Sequence, residues 1–151
     1  MSRTLSYRKH FKTAEERDSV LANIKAGIIT ELQAIALYQE LMTRARSTKH
    51  KDYISHALED EEKHAKKFRE LFITLTGSEP DVGEIESINF TGYKDGLIKS
   101  FEREMEVTEL YRDTIMLTEN KLVRQVMFEA MSDEQEHTDK FNCLYHEVYK
   151  R

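Results

Sequence analysis

Tryptophan is missing from this chain, proline and cysteine occur once each, and glycine appears five times in 151 residues. So few turn-forming residues leave too little punctuation for a fold of many short strands, which argues against an all-β architecture. The lone cysteine, Cys143, permits no intrachain disulfide, no four-cysteine iron site and no paired-thiol motif, and it fits a reducing compartment. No run approaches the roughly 18 uninterrupted apolar residues of a membrane span, and the opening MSRTLSYRKH lacks the apolar stretch of a secretion signal. With a formal net charge of −5, the chain carries no basic footprint for nucleic acid beyond a short start at Arg3, Arg8, Lys9 and Lys12. The expectation is a cytoplasmic protein with neither nucleic-acid nor membrane partners.

What the chain does have is 34% charged and 39% apolar residues, the balance of long amphipathic helices around one core. Thr13 and Glu16 have capping-box spacing, so a first helix is predicted from Ala14. Residues 1–13 are then a short basic arm and 14–151 a single domain. The first helix carries Ile24, Ile28, Ile35 and Met42 to a break at Ser47-Thr48. A second carries Ile54, Ala57, Phe68, Leu71 and Leu75 to Gly77, and a third, starting between Thr91 and Gly96, carries Leu97, Phe101 and Ile115. The fourth follows Asn120 and carries Val123, Met127, Ala130, Phe141, Leu144 and Val148. Residues 77–90 hold the only proline and read as a linker, with a short extended piece around Ile85 to Phe90. The fold class is all-α, a bundle of four helices.

Each apolar stripe is interrupted by residues that do not belong in a core: Glu31, then Glu61 and His64, then Glu104, then Glu134 and His137. The interruptions repeat. Glu31, Tyr38, Asp60, Glu61, His64 and Phe68 recur 73 residues later as Glu104, Tyr111, Asp133, Glu134, His137 and Phe141. The halves therefore read as a duplicated helix hairpin. In Glu-x-x-His the three-residue step sets carboxylate and imidazole side by side. Glu31 and Glu61 are 30 residues apart, as are Glu104 and Glu134, so folding each hairpin at its midpoint brings its two glutamates to one depth.

Four carboxylates and two imidazoles at one depth repel and resist desolvation if left alone. No lysine or arginine occupies a matching position on the stripes, so buried ion pairing is not the expected remedy. Two divalent cations balance four carboxylates, and the ligand set suits iron or manganese. The linker is long enough to run the length of the bundle, which leaves helices two and three parallel and relates the hairpins by a pseudo-twofold axis. That axis brings Asp60 to His137, Asp133 to His64, Tyr38 to Glu104 and Tyr111 to Glu31.

The paired segments DEEKHAKKF and DEQEHTDKF, with Glu31 to Tyr38 and Glu104 to Tyr111, resemble the ferritin-like superfamily, most nearly the rubrerythrin-like di-iron proteins, over residues 14–150. The resemblance implies a ferritin-like bundle in which Glu61 and Glu134 bridge two irons, Glu31 and Glu104 are terminal ligands, and His64 and His137 cap one metal each. It also implies reduction of hydrogen peroxide or dioxygen, with electrons from a separate donor such as a rubredoxin-like protein, because the rubredoxin domain of full-length rubrerythrins has no counterpart here. Rubrerythrins carry a further glutamate three residues after the third helix's ligand; this chain has Val107 there, with Glu106 one position off. An iron-handling ferroxidase or store, and a metal-loaded structural or cargo protein, are the alternatives. A homodimer or larger homo-oligomer is expected.

Plainer readings stand beside these. Tyr38 and Tyr111 are either catalytic candidates supporting the ligands or ordinary core aromatics. Asp60 and Asp133 are either acceptors for the far nitrogen of a metal-bound histidine or surface residues. His10, His50, His56 and His146 are expected in solvent, Cys143 as an unpartnered thiol, and Met42, Met105, Met127 and Met131 as core filler.

Overall fold

A computed structural model describes residues 10–150. Four helices account for most of them: α1, Ala14–Arg44; α2, Thr48–Thr76; α3, Tyr93–Leu117; and α4, Lys121–Tyr149. Among the described residues there is no strand, and the stretch expected to be extended near Ile85 to Phe90 is irregular coil. The helix starts follow the side chains available to cap them. Thr13 Oγ1 accepts from Glu16 N at 3.0 Å, Ser47 Oγ from His50 N at 3.2 Å, and Asn120 Oδ1 from Val123 N at 3.1 Å. The capping box at Thr13 is only half realised, because Glu16 accepts from Lys12 N instead of returning to Thr13. At the end of α2, Gly77 takes φ 74°, the left-handed turn that releases the chain into the linker.

The bundle is two hairpins packed face to face. α1 lies against α2 and α3, and α4 against α3 and α2, which puts α2 and α3 on a diagonal. Two apolar clusters cap a polar middle. One holds Val20, Ile24 and Ile28 of α1 with Leu71 and Leu75 at the end of α2 and Val123 and Met127 at the start of α4. The other holds Leu37 and Leu41 with Ile54 at the start of α2, Leu97 at the start of α3, and Leu144 near the end of α4. The end of α2 and the start of α3 therefore sit at opposite ends of the bundle, so the linker runs its length and α2 and α3 are parallel. Its apolar residues mark the route: Val82 packs on the first cluster, and Ile88 and Phe90 on the second.

Aromatic pairs flank the polar middle symmetrically. Tyr38 packs on Phe141 with ring centroids 4.9 Å apart, and Tyr111 on Phe68 at 5.1 Å. All four are fully buried, where truncating a phenylalanine costs about 3–5 kcal/mol. Gly27 makes room for the second pair, since a Cβ there would stand 3.1 Å from the Phe68 ring.

Four further expectations are corrected. The buried stripe of α1 runs through Ala34, Leu37, Tyr38 and Leu41, while Ile35 and Met42 are only half-buried, because the stripe drifts at helical pitch away from a strict seven-residue step. The arm is not wholly separate: Phe11 is buried in the first cluster and Lys12 pairs with Glu119 at 2.7 Å, although Arg3, Arg8 and Lys9 lie outside the described residues. Met105 is exposed at 46% and so is not core filler, unlike fully buried Met127. His50 is buried rather than solvated, its Nδ1 2.7 Å from Tyr93 Oη and its Nε2 3.1 Å from Glu147, at the end of the bundle where α2 begins.

α1 contains an 18-residue window with mean hydropathy 1.4, apolar enough on length and composition to cross a membrane. In this fold the helix carries the buried Glu31 and contributes to both clusters.

Candidate metal centre

Between the two clusters the six residues predicted from the repeat converge: Glu31 from α1, Glu61 and His64 from α2, Glu104 from α3, and Glu134 and His137 from α4. None is more than 4% exposed. Their donor atoms form two groups in which every atom lies within 4.8 Å of the others, Glu31-Glu61-His64-Glu134 and Glu61-Glu104-Glu134-His137. Glu61 and Glu134 belong to both.

The geometry shows why. Glu61 points Oε2 at His64 Nδ1, 3.2 Å away, and Oε1 at His137 Nδ1, 3.3 Å away. Glu134 mirrors it, with Oε1 3.0 Å from His64 Nδ1 and Oε2 3.3 Å from His137 Nδ1. Each central carboxylate is thus divided between the two halves of the centre. Glu31 and Glu104 stand outside, 4.0 Å from His64 Nδ1 and 3.8 Å from His137 Nδ1 respectively.

The supporting contacts cross between hairpins as the pseudo-twofold requires. His64 Nε2 lies 2.9 Å from Asp133 Oδ2, and His137 Nε2 3.0 Å from Asp60 Oδ2. A carboxylate at each far nitrogen holds a proton there, which leaves Nδ1 as the nitrogen turned toward the centre. Tyr38 donates to Glu104 and Tyr111 to Glu31. Glu106 takes no part, because it is exposed while Val107 turns inward.

One buried group was missed. Arg103, expected nowhere near the stripes, is 7% exposed, donates from Nη2 to the main-chain oxygen of Thr30, and places Nη1 3.6 Å from Glu104 Oε2. A position just before a ligand reads as the edge of the buried face. In α3 that edge is turned toward α1, and the only hint in the sequence was a charge at one position of the repeat where its twin has threonine. Cys143 also has an unforeseen neighbour, Lys49 Nζ at 3.6 Å.

Without cations the centre must find its positive charge elsewhere. Burial, and then the charges of Glu61 and Glu134, push Glu31 well above the usual carboxylate range; Glu104 is raised likewise by burial, Glu134 and Glu61. Burial works against charging the imidazoles, yet hydrogen bonds to Glu134 and Glu61 push His64 up to about 10, and those to Asp60, Glu134 and Glu61 push His137 up to about 12. Glu61 and Glu134 stay ionised: burial opposes it, but Glu31 and Glu104 respectively, together with both histidines, hold their values down. Without metal the centre thus favours protonation of Glu31, Glu104, His64 and His137, which brings in the positive charge that cations would otherwise supply. One oxygen on each of the four glutamates still lacks a hydrogen-bond partner, an arrangement costly for an apolar interior and suited to metal ligation. The donor set fits two cations of the iron or manganese class.

Comparison with known proteins follows the same line. A family model described as rubrerythrin matches residues 22–145. A Bacillus subtilis (strain 168) protein, the uncharacterized YhjR, is 30% identical over 120 residues, 78% of this chain and 81% of that one. Among solved structures, the dodecameric thioferritin of Bacteroides fragilis, a bacterioferritin-related protein, superposes with a TM-score of 0.75 at 14% identity, covering 88% of each chain. A ferritin-like diiron-carboxylate protein of Bacillus anthracis str. Ames gives a TM-score of 0.74 at 16% identity, covering 88% of this chain and 99% of that one. At such identities the structures establish the ferritin-like four-helix fold.

Proposed function

Starting from a chain that belongs to the rubrerythrin family, we propose that it is a non-haem di-iron oxidoreductase that reduces hydrogen peroxide, or dioxygen, in the cytoplasm. The observation that carries this reading is the division of Glu61 and Glu134 between two imidazole Nδ1 atoms, each flanked by its own outer carboxylate. Two iron ions would be held by Glu31 and His64 on one side and by Glu104 and His137 on the other, with Glu61 and Glu134 facing both positions.

When bound, two Fe(II) ions supply one electron each, enough to take peroxide to two waters with two protons. The chain's own residues do the rest. Asp133 and Asp60 fix the histidine tautomers, Tyr111 and Tyr38 orient the outer carboxylates, and the two apolar clusters keep bulk water from the ends. Protons have a route at the α2–α4 side, where the half-exposed His56 places Nδ1 3.5 Å from Asp60 Oδ2, which in turn meets His137 Nε2. Electrons come from a separate donor such as a rubredoxin-like protein. The expected assembly is a homodimer or larger homo-oligomer, in keeping with the dodecameric state of the thioferritin the chain resembles.

A second reading, ferroxidase or iron store, draws support from the likeness to a dodecameric thioferritin. Anaerobic stopped-flow on protein loaded with two Fe(II) separates the two. Faster oxidation by peroxide than by dioxygen, with both irons retained, is the expected result. Preference for dioxygen, with iron accumulating beyond the site, would establish the store. Oxidation by neither would leave a metal-binding structural or cargo protein.

A further inference from the structure

The repeat that brings the six donors together is broken by one buried charge. Arg103 directly precedes Glu104; 73 residues earlier, directly before Glu31, the chain has Thr30. The two positions meet, since Arg103 Nη2 donates to the main-chain oxygen of its own twin. Nη1 lies 3.6 Å from Glu104 Oε2, and neither Nη1 nor Nε has a hydrogen-bond partner. Among the described residues no lysine or arginine nitrogen comes within 4.0 Å of the Glu31 carboxylate. The guanidinium therefore stands at the shoulder of one outer carboxylate, while its charge reaches Glu31 and Glu61 only from farther off.

We propose that Arg103 makes the two halves of the centre unequal toward cations, so that the position bounded by Glu31 and His64 fills first and the position bounded by Glu104 and His137 fills second and empties first. This rests on the reading of the six residues as a two-cation site. A guanidinium beside a ligand repels the incoming cation. Its charge is permanent, and in a buried setting it is little screened, so about a tenfold loss of affinity at the nearer position is the expected scale. Under limiting metal the protein would then exist as a one-ion form with the ion on Glu31 and His64.

The two positions can be read one at a time. His137→Ala leaves the Glu31/His64 position and His64→Ala leaves the Glu104/His137 position; each is titrated with Co(II), followed by visible absorption, at one pH. Arg103→Gln removes the charge and retains a donor toward Thr30. It should strengthen Co(II) binding about tenfold in the His64→Ala background and less than about threefold in the His137→Ala background. Arg103→Lys, which keeps the charge, should produce neither gain. Equal gains in both backgrounds, no gain in either, or weaker binding throughout would overturn the proposal. Should Arg103→Gln fail to fold by circular dichroism, Arg103→Thr, the residue of the twin position, carries the same test. Failure of the parent protein to bind Co(II) would instead overturn the two-cation reading beneath it, a result distinct from binding that ignores Arg103.

Discussion

The two hairpins, compared at their 73-residue offset, use the same side chains wherever they meet at the centre and different ones at its rim. Tyr38 reaches Glu104 and Tyr111 reaches Glu31; His64 meets Asp133 and His137 meets Asp60. Beyond this layer the equivalence fails. The Asp60 side chain is 10% exposed with His56 and Lys63 beside it, whereas Asp133 is 41% exposed. Thr30 faces Arg103, and Gly27, which admits Phe68 and Tyr111, corresponds to Ser100, whose hydroxyl returns to Gly96 O. The difference has a physical basis. Six buried ionisable groups packed within a few ångströms must balance their charge jointly, while each rim answers only to its own solvent and neighbours. Sameness is therefore confined to the residues whose charge must be balanced jointly.

The largest effect that could break this symmetry argument is the exchange of protons for metal. Protons favoured on Glu31, Glu104, His64 and His137 must leave as cations enter, so loading with Mn(II) at pH 7 should release protons, read with an indicator dye in weak buffer. Glu31, Glu104, His64 and His137 all hold their protons to higher pH in the folded state than in the unfolded chain. Folded protein thus binds more protons, and stability without metal falls as pH rises, first above the ordinary carboxylate range and then above 6.5 as the unfolded histidines discharge. Melting of metal-free protein should accordingly drop from pH 5 to pH 9, roughly, and the gain from Mn(II) should grow over the same interval. A gain that shrinks with rising pH, or release of no protons, would mean that the six groups do not titrate as one joint centre.

Much of this was legible in the sequence because duplication prints the same chemistry twice. The six donors, the linker's run along the bundle and the crossed pairs of Asp60 with His137 and Tyr38 with Glu104 all follow from one offset and one axis. What escaped was whatever the repeat does not contain. Arg103 has no twin to announce it, and His50 is buried only because Tyr93 and Glu147, distant in sequence, close over it. The register of α1 was misjudged at Ile35 and Met42 because that helix is apolar nearly all round, so its sequence alone does not say which side faces inward.

A smaller effect sharpens the comparison at the tyrosines. Tyr38→Phe and Tyr111→Phe each remove one buried donor from an outer carboxylate and leave the aromatic packing in place. Each should cost about 1.5–3 kcal/mol in the metal-loaded protein, where the acceptor is ionised, measured by urea denaturation. The loss at Tyr38 should be the lesser, because Glu104 retains the guanidinium of Arg103 at 3.6 Å while Glu31 would be left with no such neighbour. Equal losses would show that Arg103 does not support Glu104.

The smallest expected effect lies on the rim. Lys67 of α2 pairs with Glu129 of α4 at 2.9 Å, and at the twin positions Lys140 stands 2.6 Å from His56 Nδ1 and 2.8 Å from Glu136. The first pair is half-exposed on both sides, so solvent screening and the cost of fixing two long side chains leave less than about 1 kcal/mol, and Lys67→Met should fall within that and lose its effect in about 1 M salt. Lys140 differs in kind. Its side chain is only 17% exposed and stands between two partners, Glu136 and His56 Nδ1, so less water screens it than screens Lys67. Lys140→Met should therefore cost more than Lys67→Met and keep part of its effect in about 1 M salt, measured by thermal melting of metal-loaded protein. Equal losses with equal salt dependence would return the rims to equivalence and restrict the asymmetry of the halves to Arg103.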